Sequence, residues 1–518
     1  MTNRAGWVAP AETEPAARKF IDFLGGPVGK HGRLAESRWF HPVQAIVSVA
    51  ILILAGGFLT KAHCTRGSIN PDTGAIDLDW SGNRAYVSAC YNDIIPLFAG
   101  RGLDTGGFPY AYSWQEDDLT RYLEYPVLTG YFQGIMGWLA RVSYPPVEAV
   151  SKHLVPVPMA GWYFILTVLV LSLFWVATVR MACALAGRRI WDIMLVAASP
   201  LVLVHAFTNW DILAIFFAVA GLLLFARGRT AWAGVAIGLG TATKLWPLFL
   251  LGAIIVLALR LRRFRALIIV AVTTAVTWLV VNLPVMLAYP EAWNEFNRLN
   301  STRSWEWTTI YAVAARLTLF DGFDPDGAEV PQILNTVSLA LFIASCVAIA
   351  ILGLVVKRQP RMAELVFLII AAFLLFNKVW SPQYSLWLVI PAVLAFPRWR
   401  LLLTWMAVDM LVWPVLMWHM HGEDNNGLPA EFLDVVVLTR TGLIVVLVVC
   451  VVRQMLGKNL PGQQISGDRN QADPVYRAHN GYDPLAGPLQ VTPEKAAEHV
   501  GGQQTPETRQ GHPAKETA

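Results

Sequence analysis

Apolar runs separated by polar breaks fill most of this chain, and the breaks alternate in character. The runs cover Val43 to Thr60, Met159 to Val179, Ile190 to Phe207, Ile212 to Ala226, Ala231 to Thr243, Leu245 to Leu259, Ala266 to Ala288, Ile333 to Val356, Ala363 to Phe376, Gln383 to Phe396, Leu401 to Trp418, and a last one ending near Val452. From the second run onward every other break is basic: Arg180, Arg188 and Arg189; Arg227 and Arg229; Arg260, Arg262, Arg263 and Arg265; Lys357, Arg358 and Arg361; Arg398 and Arg400; Arg453 and Lys458. Lys and Arg gather in cytosolic loops, so the alternation predicts an all-α polytopic membrane protein of about twelve spans with both termini inside. Several runs fall short of the roughly 20 residues that cross a bilayer, notably those on either side of Lys244. Broken or re-entrant helices are expected there.

The pattern also divides the chain. Residues 1–42 are polar and basic and are expected to stay in the cytosol, residues 43–455 form the membrane domain, and residues 456–518, rich in Gln, Pro, Gly, Glu and Lys, read as a disordered cytosolic tail. Residues 61–158 form a large first external loop. Within it, Tyr125 to Ala140 is apolar but short, with Pro126 near its start and three Gly further on. A helix lying in the membrane interface is the reading it supports. Counting it as a span would move every basic break to the outside, against the charge rule.

Composition agrees. With 55% hydrophobic and 15% charged residues and a mean hydropathy of +0.47, the chain is too apolar for a set of soluble domains. A formal charge of +4 gives no reason to expect nucleic acid. The 21 Trp often sit where an apolar run meets a polar one, as interfacial anchors do. Cys183, Cys346 and Cys450 lie in or beside apolar spans as small hydrophobes. Cys64 and Cys90 share the first loop, outside the cytosol, where they form either a disulfide ending just before Asp93 or two free thiols.

With this topology the unusual polar residues collect on the outer side. Asp93 precedes an apolar segment, Ile94 to Phe98. A carboxylate at the edge of a low-dielectric medium is a candidate base, and a solvated loop acid is the plainer alternative. Glu124 opens the interfacial segment, where it can serve simply as a helix-dipole partner. Glu116, Asp117 and Asp118 read as a solvated face, and no metal site or cofactor motif is expected. Lys244 and Lys378 stand at the membrane boundary beside Trp246 and Trp380, where a charge either snorkels or finds a partner. Arg440 lies in an apolar context and can pair with Asp409 or meet an anion. Arg298 and Arg303 bring guanidinium forks suited to phosphate, with Trp305 and Trp307 close by.

These stretches together resemble the GT-C superfamily of polyprenyl-phosphate-sugar-dependent glycosyltransferases, most closely glycosyltransferase family 87. The resemblance is carried by Asp93 to Leu103 (DIIPLFAGRGL), Phe108 to Tyr110 (FPY), Glu124 to Leu128 (EYPVL, with Val127 in place of the family's second Pro), Asn209 to Asp211 (NWD), Ala233 to Pro247, and Trp380 to Tyr384 (WSPQY). It extends roughly from Val43 to Phe396. It implies a GT-C fold and an active site facing the periplasm or outside of the plasma membrane. Asp93 would be the general base that activates an acceptor hydroxyl. Lys244, Lys378, Arg303 and Arg440 would hold the donor phosphate, and Glu124, Tyr125, Asp211, Trp380 and Tyr384 would surround the substrates. The implied partners are a polyprenyl-phosphate sugar, with mannose favoured and arabinofuranose as the alternative, a glycolipid or polysaccharide acceptor, and membrane lipid. A secondary transporter also carries broken helices and intramembrane charges; a non-catalytic envelope scaffold is a third reading.

Overall fold

A computed structural model describes residues 41–318, 322–325, 328–458 and 473–490, with residues 7, 8, 14, 15, 17–19 and 23 near the start. Most of the predicted N-terminal segment, and residues 459–472 and 491–518 of the predicted tail, lie outside the described residues. Among the described residues six helices are long and apolar enough to cross a membrane: those within Pro42–Thr65, Met159–Ala197, Phe264–Ala288, Gln332–Val355, Trp399–Met420 and Ala430–Met455. Four shorter apolar helical segments, Asp211–Ala226, Trp246–Leu261, Met362–Phe376 and Pro382–Ala395, accompany them.

The two classes differ in what covers them. Gln332–Val355 buries only Leu334, Ser338 and Gly353 and leaves Ile343, Val347 and Ile351 exposed. Large exposed apolar faces mark a surface met by lipid or a partner. By contrast, all ten residues of the Leu386–Ala395 helix are buried, so this helix is sheathed by protein and need not match the bilayer's thickness. Proline starts several of the short helical turns. Pro200, Pro247 and Pro382 stand at the first positions of their helical turns, where a missing N–H costs nothing. The run from Ile190 to Phe207, expected as one span, is accordingly divided into a 3-10 turn at Gly187–Ile193, a turn of helix at Met194–Ala197 and the Pro200–His205 helix.

Small residues draw the middle of the bundle together. A Cβ on Gly234 would stand 2.5 Å from the Val270 carbonyl, and one on Gly238 2.7 Å from that of Thr274. Only glycine at this i, i+4 spacing lets Thr230–Thr243 pack directly on the backbone of Phe264–Ala288.

Besides helices, the first loop carries two antiparallel hairpins, which the all-α expectation did not include. Gly67–Ile69 pairs with Ile76–Leu78, and Ser113–Glu116 with Leu119–Tyr122. The helix expected at Tyr125 to Ala140 starts at Val127 and continues through Pro145 and Pro146 to Ser151. The tail also departs from expectation. Within it, residues 473–490 are packed: Asp473, Val475, Asp483, Leu485, Ala486 and Leu489 are buried, and His479 accepts a hydrogen bond from the Arg188 backbone N–H at 3.1 Å.

The connections expected on the outer side meet at one end of the bundle. Asp93 N donates to the Thr208 carbonyl at 2.8 Å, and Glu306 N to that of Lys378 at 2.9 Å. The basic connections meet at the other end, where Arg260 donates to the carbonyls of Gly353 and Val356 and Arg361 to those of Leu394 and Ala395.

Candidate active site

Asp93 is positioned by what surrounds it in sequence. A disulfide joins Cys64, just past the first long helix, to Cys90. Asn92 then turns its side chain back, donating to the Cys90 carbonyl at 3.2 Å and accepting from Ile95 N at 3.0 Å. Asp93 stands just before the Ile94–Gly100 helix without a side-chain capping bond, and it faces a cavity of about 480 Å³. Its carboxylate accepts from Asn209 Nδ2 at 2.7 Å, and the same Nδ2 donates to the Tyr125 hydroxyl at 3.0 Å. Burial raises the Asp93 carboxyl above its ordinary value, while Asn209, Lys244 and Tyr91 act against that rise.

Lys244 ends the Thr230–Thr243 helix in extended backbone. Its Nζ lies 2.6 Å from Asp211 Oδ1 and over the Tyr384 and Trp387 rings at 4.8 and 5.7 Å. Trp387 Nε1 shares that carboxylate oxygen at 2.8 Å. The lysine is thereby a cation fixed at the cavity wall, with its charge offset from behind.

Of the ten catalytic, phosphate-binding and substrate-binding residues singled out from sequence, six line the cavity: Asp93, Lys244, Arg303, Glu124, Tyr125 and Tyr384. Glu124 makes a two-point bond with Arg101 at 2.7 and 2.8 Å. The other four lie behind the wall. Asp211 anchors Lys244. Lys378 donates to the Arg303 carbonyl; burial first, then Arg303, lowers its ammonium to about 8. Trp380 is 1% exposed. Arg440, fully buried, places its guanidinium 3.7 Å from the Trp380 ring, donates to the Thr308 carbonyl and lies 3.8 Å from Asp409. Arg440 thus takes the structural pairing that the sequence left open, and an anion in the cavity does not reach it directly.

Sequence reasoning missed Glu306. Its two carboxylate oxygens accept from Ser381 Oγ at 2.8 and 2.9 Å, and Arg303 Nη1 lies 3.8 Å away. Burial raises its carboxyl, and Asp93 is near enough to add to that rise. The visible signal was an acid between two tryptophans, Trp305 and Trp307, in a loop read for its arginines. Among the described residues no group of three His, Cys, Asp or Glu is arranged to hold a metal ion.

The arrangement is a half-buried carboxylate, a lysine anchored from behind and an exposed arginine around a space large enough for part of a small ligand, with aromatic rings at its wall. Residues 143–382 match the model of Glycosyltransferase family 87. That segment includes Asp211, Lys244, Arg303 and Glu306 and leaves Asp93, Glu124, Tyr125 and Tyr384 outside it. No curated protein matches the chain.

Proposed function

We propose that this chain, a glycosyltransferase of family 87 by its match over residues 143–382, transfers a sugar from a polyprenyl-phosphate donor to a cell-envelope lipid or polysaccharide, with inversion. The family match sets the transporter reading aside. The observation that carries the proposal is the shared cavity: Asp93 on one wall, Lys244 and Arg303 on others, with 480 Å³ between them.

In this reading Asp93, ionised, takes the proton from an acceptor hydroxyl as that oxygen attacks the anomeric carbon. The new carbon–oxygen bond forms as the bond to phosphate breaks, and the phosphate leaves with the bonding pair. Lys244 and Arg303 meet the growing charge on the phosphate; placed cations in a poorly hydrated site are worth more than in water because they need no reorganisation. Lys378 contributes by holding the Arg303 backbone. Asn209, bonded to both Asp93 and Tyr125, fixes the carboxylate's direction, while Glu124, Tyr125 and Tyr384 contact the substrates. The apolar side chains Phe296, Leu299, Trp413 and Leu416, also at the cavity wall, suit a lipid-borne substrate. Mannose is the favoured sugar and arabinofuranose the alternative. The cavity faces the outside of the plasma membrane in a GT-C fold of about twelve spans, counted by the charge rule.

The test is transfer of radiolabelled sugar from polyprenyl-phosphate donors by the full chain. Asp93→Ala and Asp93→Asn should each lose about 10³-fold in rate, within the range typical of general-base catalysis. Retained turnover in both variants would reject Asp93 as the base.

A further inference from the structure

We infer that Glu306 reads the hydroxyl pattern of the transferred sugar, with the Trp307 ring beside it as the platform for a sugar face. The inference deepens the proposed function and rests on it.

Glu306 is held too firmly, and placed too centrally, for a loop acid. Its backbone N–H bonds the Lys378 carbonyl, and its own carbonyl accepts from Thr309 N at 3.0 Å and from Thr309 Oγ1 at 2.8 Å. Its carboxylate lies at the cavity wall with its side chain 24% exposed. A carboxylate offers about four acceptor sites. The Ser381 hydroxyl carries one proton and can fill only one of them at a time, and Arg303 at 3.8 Å is beyond hydrogen-bond distance. Acceptor capacity therefore remains toward the cavity. Two neighbouring sugar hydroxyls can donate to such a carboxylate together, in the manner of a fork.

The place of Glu306 in the reaction path decides which sugar it meets. Arg303, three residues earlier, is the cation assigned to the donor phosphate, and Asp93 marks where the acceptor hydroxyl must stand. The transferred ring lies between phosphate and acceptor during in-line displacement. Glu306 stands 3.8 Å from the Arg303 guanidinium and lines the same cavity as Asp93, so it flanks that ring. Trp307 is 52% exposed and lines the same cavity. An aromatic face and a carboxylate together can tell an axial from an equatorial hydroxyl. A site built to bond a hydroxyl rejects an analogue that cannot present it, because its own buried acceptor is then left unsatisfied.

The experiment compares kcat/KM for donors that differ at one hydroxyl, such as mannosyl and glucosyl phosphopolyprenol, in the parent, Glu306→Gln and Asp93→Asn. Glu306→Gln should weaken the preferred donor by about 10²-fold and shrink the ratio between donors at least about tenfold, as loss of a hydroxyl-reading contact does. Asp93→Asn should slow both donors and leave the ratio unchanged. A partly unfolded variant lowers both rates together, so the ratio reports recognition apart from folding. A Glu306→Gln ratio within about twofold of the parent's would overturn this inference alone. Absence of transfer by the parent from any polyprenyl-phosphate sugar would overturn the donor reading and this inference with it.

Discussion

Both ends of the helical bundle concentrate arginines, lysines and carboxylates, but one leaves room beside them and the other does not. At the cavity end, Asp93, Lys244, Arg303 and Glu306 surround about 480 Å³. At the opposite end, Arg361 donates to Asp473 at 2.7 Å and to the Leu394 carbonyl at 2.9 Å. Arg358 bridges Asp473 at 2.5 Å and Glu364 at 2.7 Å, and Gln454 adds a bond to Glu364 at 2.8 Å. The space lined by Arg361, Val475 and Leu485 is about 10 Å³, room for roughly one water. Similar residue types therefore serve opposite ends. Where charges bond one another and exclude water they fix helices in place, and where acceptor and donor capacity is left facing a cavity they can act on a substrate. The packed 473–490 segment makes the second end dry: it supplies Asp473, and its Asp483 accepts from Met362 N at 2.7 Å.

The largest effect should come from the sealed end. Arg361→Ala would take from Asp473 one of its two arginine partners and leave the buried Leu394 carbonyl without its side-chain donor, a loss of about 3 kcal/mol of stability. Thermal or denaturant unfolding in detergent measures it, and turnover per folded molecule should stay near that of the parent. If turnover collapsed while stability held, the division of labour between the two ends would be wrong.

Lys244→Met turns the comparison around. Removing the cation should slow transfer about 10²-fold, near 3 kcal/mol of transition-state stabilisation. It also leaves Asp211 buried with one less partner, so some stability is lost. Adding Asp211→Asn should return the stability and not the rate, since the neutral amide needs no counter-charge. Recovery of the rate in the double variant would demote Lys244 to a structural residue.

The pH profile is the next test. In the proposed reaction Asp93 acts ionised, and burial raises its carboxyl above the ordinary 3.8. Activity is thus complete above the raised value and falls tenfold per unit below it, about 1.4 kcal/mol per unit. The acid limb of kcat/KM should lie higher than for a solvated aspartate. Lys244, Tyr91 and Asn209 pull it down, and Asp211 adds to the rise. An acid limb at the ordinary value would mean that a solvated carboxylate is the base.

How much of this could be read from sequence follows from the reach of each signal. The basic breaks from Arg180 to Lys458 and the polar breaks at Asn209, Lys244 and Trp380 each gather at a common end, because loop charge reports which side a turn lies on. It reports nothing about depth. Loop charge therefore groups Lys378 and Arg440 with Lys244 and Arg303, although packing buries Arg440 against the Trp380 ring and away from the cavity wall. Span counting treated Ile190 to Phe207 as one helix because hydropathy does not register that Pro200 starts a new one. The docking of residues 473–490 was hidden for a similar reason: Asp473 and Asp483 look like solvated tail acids until Arg358 and Arg361 are placed opposite them. Glu306 was hidden by its neighbours, since a loop rich in Asn, Ser and Arg gives no periodicity to weigh a single acid against.

The smallest effect tests whether every charge at the cavity end belongs to the site. In the second hairpin, Arg121 bonds Glu116, whose side chain is 55% exposed, and also Glu295, whose side chain is 2% exposed. Arg298 doubles the hold on Glu295 at 2.7 Å, so the hairpin is tied to the Pro290–Thr302 helix by the buried acid as well as by the Tyr122 hydroxyl, which donates to Glu291 at 2.6 Å. Glu116→Gln removes only the solvated partner and should change stability by about 0.5 kcal/mol or less, with no change in transfer. Glu295→Gln should cost more, because it weakens two arginine contacts away from water. If Glu116→Gln instead slowed transfer severalfold at unchanged stability, the hairpin would be part of the acceptor's path, and the boundary drawn here between the cavity and its rim would have to move outward to include it.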